Sequence, residues 1–163
     1  MRRWWATKIR RTWSYVRARV SPAERSALAD WLTPAQLGVF DSMLTADRRH
    51  GLDVVARLRS QGVTDSDLLV AGLLHDCGKG PGIRLAHRVA WSLGERYGAW
   101  IWRIAGVLPT FKRALQQLRD HAERSTVLAE QAGCSPRTVE LIRHQDEPGD
   151  EAGRLLHEAD EAN

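Results

Sequence analysis

Apolar positions recur along this chain with the spacing of helix faces and show little of the alternation of a strand. Trp5, Ile9, Trp13, Val16 and Val20 fall within about 80° on a helical wheel, with most arginines elsewhere, so a first amphipathic helix is predicted up to Ser21-Pro22. Thr33-Pro34 reads as an N-cap followed by proline at the first helical position, opening a helix to roughly Leu44. Asp47 is placed to cap the next helix, which runs to Gln61 and stops at Gly62. Thr64 or Asp65 then opens a helix whose apolar run (Leu68, Leu69, Val70, Ala71, Leu73, Leu74) leads straight into His75 and Asp76, with Gly78 and Gly80 ending it. Later helices are expected over 83–104, 111–132, 136–146 and 151–162, with Ser135-Pro136 a clear restart. The predicted fold is all-α, a helical bundle over residues 22–163 preceded by a leader helix over 1–21.

Several polar side chains sit on the apolar faces of these helices. His50 is followed by Val54 and Leu58 at steps of four, and His75 follows Leu68 and Ala71. His121 falls in the series Ala114, Leu118, His121, Ser125, Leu128; His144 shares a face with Leu141, and Asp160 lies four after Leu156. His157 has Gly153, Arg154 and Glu161 as face neighbours and is expected to be solvated, while His87 is ambiguous. A single histidine on an apolar stripe is ordinarily a hydrogen-bonded core residue. Four such histidines with two inward aspartates are hard to satisfy among themselves. Divalent cations resolve this, since they neutralise carboxylates and accept neutral imidazole directly.

Composition changes the picture in two places. The 163 residues are 43% apolar and 27% charged, which suits one globular domain and argues against disorder. Cys77 and Cys134 lie far apart and outside any metal-knuckle spacing, so a reducing, cytoplasmic compartment is expected, with Cys77 a small packing residue. The net charge of +4 is unevenly spread. Seven of the 24 basic side chains lie in residues 1–20 with no acid among them, leaving 17 basic against 20 acidic residues, or −3, for residues 21–163. The basicity therefore belongs to the leader. It suits docking on the domain itself, which is the favoured reading, or a partner, or peripheral contact of residues 2–20 with anionic lipid at the inner face of the membrane. Nucleic-acid binding is not expected, because interleaved aromatics are confined to residues 4–15.

The ordered set His50, His75-Asp76, Asp160 resembles the HD phosphohydrolase superfamily, and "LLHDCGK" is similar to its common HD-x-GK form. The resemblance covers residues 34–163. It implies an HD-domain helical bundle in which His50, His75, Asp76 and Asp160 hold one divalent metal. "DHAERSTVLAEQAGCSPRTVELIRHQDE" is similar to the segment of a six-ligand subset, which implies His121 and His144 as ligands of a second metal, with Asp76 bridging. The metals implied are Fe, Mn, Co, Ni, Mg or Zn. The Gly-Tyr-Pro element of the cyclic-di-GMP branch is missing, and Gly78-Lys79 stands where ppGpp hydrolases carry an acidic pair.

The resulting expectation is a metal-dependent phosphomonoesterase or phosphodiesterase acting on a phosphorylated small molecule. Asp76 is assigned a catalytic role, because a carboxylate offers one oxygen to each ion. Lys79 is either a phosphate-contacting charge or a solvated turn lysine, and Arg49 either a phosphate clamp or, as favoured, a surface residue. The alternative is a non-catalytic metal-binding signalling or scaffold module of the same fold. Trp91, Trp100 and Trp102 lie in an insert read as core, with a lid or an apolar contact patch as alternatives.

Overall fold

The computed structural model describes residues 15–163. Those residues are helical throughout, without a strand. Residues 15–17 are helical, and ten helices follow: α1 Pro22–Leu28, α2 Pro34–Ser42, α3 Thr45–Ser60, α4 Ser66–Leu74, α5 Leu85–Tyr97, α6 Trp100–Ala105, α7 Pro109–Arg119, α8 His121–Gln131, α9 Pro136–Arg143 and α10 Glu151–Ala162. Among the described residues no helix is long and apolar enough to cross a membrane.

The helix starts follow from local chemistry. Ser21 and Thr33 each form a capping box, with Glu24 and Gln36 respectively, ahead of a proline. Asp65 Oδ1 accepts from the amides of Asp67 and Leu68 to open α4, and Ser135 and Asp150 cap α9 and α10. Helix α4 is buried over Leu68–Leu74 and is packed by α2, α3, α9 and α10. From Leu68 on it is apolar all round because that stretch has no solvent face. A smaller cluster of Ile83, Ala114 and Leu118, with Trp91 against it, ties α5 to α7.

Several expected boundaries move. Helix α1 occupies a stretch left unassigned, and Asp47 lies within α3 instead of capping it, the cap position being Leu44. The span 83–104 is two helices, because Gly98 takes φ +111, a conformation open to glycine and closed to a helix. The span 111–132 is likewise broken at Asp120, which makes His121 the first residue of α8. The leader is described only at its end. There Val20 packs on the main core, Val16 is exposed and the Tyr15 hydroxyl donates to the Ile83 carbonyl at 3.4 Å; Trp5, Ile9 and Trp13 lie outside the described residues.

Two glycines allow helices to approach more closely than any side chain permits. A Cβ on Gly51 would stand 2.4 Å from the Leu73 carbonyl oxygen, so α3 rides directly on α4. A Cβ on Gly78 would stand 2.3 Å from the His121 oxygen and 2.5 Å from the Ser125 nitrogen. That contact seats the 3-10 turn Cys77–Lys79 on α8, where the Gly78 amide donates to Ser125 Oγ at 2.8 Å and Arg124 Nε donates to the Gly78 carbonyl at 3.0 Å. Gly78→Ala is expected to lower stability by about 3 kcal/mol, since neighbouring backbone must move. Gly38→Ala, mid-helix with open space around it, is expected to raise stability by about 1 kcal/mol. Denaturant unfolding of both variants checks this, and equal midpoints would contradict it.

Candidate metal centre

His50 lies on α3, His75 at the C-cap of α4, Asp76 in the following residue and Asp160 near the end of α10. Gly51 brings the first two elements together, and the chain's last helix adds the aspartate. His50 Nε2 is 2.7 Å from Asp160 Oδ1 and 3.9 Å from Asp76 Oδ2. His75 Nε2 is 3.5 Å from Asp160 Oδ1 and 3.6 Å from Asp76 Oδ1. One ligand atom from each of His50, His75 and Asp160 lies within 4.8 Å of the others, a set of donors that fits one metal ion. Ligands at about 2.0–2.2 Å from a common ion stand at most about 4 Å apart, so most of the observed separations already match a shared centre.

The tautomers are held from behind. His75 Nδ1 donates to the Gly72 carbonyl at 3.0 Å, and His121 Nδ1 to the Leu118 carbonyl at 2.7 Å. Each leaves Nε2 facing Asp76, at 3.6 Å for His75 and 3.7 Å for His121. An outer-sphere carbonyl on the far nitrogen is the arrangement that orients a metal-ligating imidazole. His75 Nε2 is buried and makes no hydrogen bond. A buried polar atom without a hydrogen bond is costly unless a charge or an ion compensates it, and the Asp76 and Asp160 carboxylates stand 3.6 and 3.5 Å away.

The electrostatics agree with a cation-seeking centre. Burial works to raise the pKa of Asp76, which is 3% exposed, yet Lys79 and the imidazoles of His75, His50 and His121 outweigh it and hold the carboxyl well below its ordinary range. Lys79 Nζ donates to Asp76 Oδ2 at 2.5 Å. Asp160 is held low in the same sense, against its burial, by His50 and His75. Burial works to lower the pKa of His75, but the carboxylates of Asp76 and Asp160 raise it to about 9. Burial pushes the Cys77 thiol up to about 12, consistent with a packing role.

The remaining expected residues fall differently. His144 is exposed at the C-cap of α9. Just beyond it Gln145 is buried and its Nε2 donates to the His75 carbonyl at 3.4 Å. Of the expected second pair, His121 Nε2 stands 3.7 Å from Asp76 Oδ1. Arg49 is a bridge between carboxylates, with Nη1 2.5 Å from Glu24 and Nε 3.0 Å from Asp53. His157 is half-buried against the Gln145 carbonyl, and His87 is buried against Phe111.

A cavity of about 390 Å³ opens beside the cluster, lined in part by Tyr15, Asp47, Arg49, Asp76, Lys79 and Arg88. The sequence offers Asp47 only as a cap and gives Arg88 no role. Asp47 is buried and accepts from Arg88 Nη2 at 2.7 Å, and the Arg88 guanidinium lies 5.1 Å from the centre of the Tyr15 ring. Asp47 stands three residues before His50, a spacing that already put both on one helix face. Arg88 carried no comparable signal.

These charges set a pH profile for the chelator-treated protein. His75 has an ordinary pKa of 6.5 and a folded value near 9, so its contribution to stability is complete below pH 6.5 and disappears as pH rises through 9. Asp76 and Asp160 act in the opposite sense: their contribution is complete above the ordinary value of 3.8 and disappears as pH falls below it. Stability is therefore expected to peak between about pH 4 and 6.5 and to drop by on the order of 2 kcal/mol toward pH 9. Urea midpoints across that range check it, and a flat profile from pH 6 to 9 would contradict it.

The chain matches no family model, no curated protein and no solved structure.

Proposed function

We propose that this protein is a metal-dependent phosphoric ester hydrolase whose ion is held by His50, His75 and Asp160, with Asp76 beside it. The observation that carries this reading is His75 Nε2, buried without a hydrogen bond between two carboxylates and fixed in orientation by the Gly72 carbonyl. Two imidazoles and carboxylate oxygen, with no thiolate, suit an open coordination shell more than a closed structural site. A divalent cation there supplies Lewis acidity toward a phosphate ester.

The chain's own residues supply the rest. Lys79 Nζ keeps Asp76 ionised and presents a fixed positive charge on the cavity wall. His121 Nε2, 3.7 Å from Asp76 Oδ1, is placed to hold or release a proton at that carboxylate. Arg88, oriented by Asp47 and Tyr15, adds a second cation on the same wall. Arg49 is engaged by Glu24 and Asp53 and is assigned a structural role. The cavity is the size of a small-molecule site, and its charged lining suits a phosphorylated substrate. The reading agrees with the resemblance to HD phosphohydrolases. It is drawn for one ion, the one whose donors His50, His75 and Asp160 lie within 4.8 Å of one another.

Metal analysis and turnover of p-nitrophenyl phosphate and its diester test this. Asp160→Asn and His75→Ala are expected to reduce bound metal from about one per chain to near zero and to abolish turnover with it. Lys79→Met is expected to retain metal while losing on the order of 100-fold in kcat. Full metal content and turnover in Asp160→Asn would contradict the assignment. Metal uptake without turnover on any ester would instead support a metal-binding module.

A further inference from the structure

Helix α6 presents an apolar face to solvent although the fold holds the helix firmly. Trp102 anchors it: its ring stacks on Trp91 with centroids 4.8 Å apart, and its Nε1 donates to the Trp91 carbonyl at 3.1 Å. Gly94 makes room for that indole, since a Cβ there would stand 1.8 Å from Trp102 Nε1. With Trp102 turned toward α5, Trp100 and Ile104, one turn apart, face outward at 52% and 64% exposure. Val107 and Leu108 continue the surface at 80% and 56%. Tyr97 is exposed at its near end, where Trp100 Nε1 donates to the Tyr97 carbonyl at 3.0 Å. The expectation of a core role thus fails for Trp100, and for Trp91 and Trp102 holds only in part, both being half-buried.

Soluble domains seldom leave such a run of large apolar side chains in water without a use for it. The charge along this stretch is predominantly basic, with Glu95 and Asp120 just outside its two ends. From Arg96 to Arg119 there are five basic side chains and no acidic one, and Arg96, Arg103, Lys112 and Arg113 are exposed. Exposed indole and phenol rings beside aliphatic side chains, within a cationic surround, match the headgroup region of an anionic bilayer: rings and aliphatics enter the interface while the guanidinium and ammonium groups meet phosphates.

We propose that the face formed by Tyr97, Trp100, Ile104, Val107 and Leu108 docks on an anionic lipid bilayer. The residues of this face are not those of the leader, and the proposal stands whether or not the metal centre is catalytic.

The test is co-sedimentation of the full chain with vesicles of phosphatidylcholine alone or with about 30% phosphatidylglycerol added as the anionic lipid. Wild type is expected to bind the mixed vesicles at least tenfold more tightly than the neutral ones. Trp100→Ser/Ile104→Ser/Leu108→Ser, which removes only exposed side chains, is expected to lose at least tenfold on the mixed vesicles, with its thermal midpoint and metal uptake unchanged. Undiminished binding by that variant would assign the contact to the leader and overturn the proposal. Failure of wild type to bind mixed vesicles would overturn it too, as would a self-associating wild type that the triple substitution renders monomeric.

Discussion

A carboxylate at the end of an apolar helix governs this structure. Asp76 follows the fully enclosed helix α4 and is all but sealed from water, where an unpaired ionised carboxyl costs several kcal/mol. The chain meets that cost by converging positive or neutral nitrogen on it from three further elements: Lys79 from the 3-10 turn, His50 from α3 and His121 from α8. Asp160 then joins from α10 and adds a second negative charge next to His75. Two carboxylates against imidazoles that can lose their protons leave a centre short of positive charge, and a divalent cation fits both the charge and the donor spacing.

The bundle is arranged to make that convergence possible. Gly51 and Gly78 remove the Cβ atoms that would hold α3 off α4 and the turn off α8. Backbone carbonyls at Gly72 and Leu118 then aim two imidazoles inward. Both devices use main-chain oxygen and missing side chains, so the centre is shaped by helix packing more than by side-chain contacts. The cavity beside it borrows its other wall from Tyr15 at the end of the leader and from Arg88 on α5, elements that belong to the less enclosed half of the molecule.

Most of the architecture was legible because caps and prolines mark helix starts with little dependence on tertiary context. Thr33-Pro34, Asp65 and Ser135-Pro136 each open a helix as read. His50, His75 and Asp160 were found because each lies on an apolar stripe of a helix that does continue through it or end at it. His144 holds the same C-cap position on α9 that His75 holds on α4, yet it is exposed where His75 is buried, a difference set by what packs on each helix end and not by the periodicity. The breaks at Gly98 and Asp120 lie in backbone angles, a φ of +111 at Gly98 and a non-helical ψ at Asp120, which a periodicity count cannot see. Asp47 was read as a cap because aspartate near a helix start usually is one; its partner Arg88, 41 residues away in sequence, shows why it is buried.

The central claim is that His50, His75 and Asp160 share one divalent ion. Anomalous diffraction from crystals grown with manganese tests it most directly. The account predicts a single strong peak about 2.0–2.3 Å from His50 Nε2, His75 Nε2 and an Asp160 oxygen, with Asp76 alongside. Manganese bound elsewhere, or density showing Asp160 turned to solvent with the two imidazoles hydrogen-bonded only to protein, would contradict it.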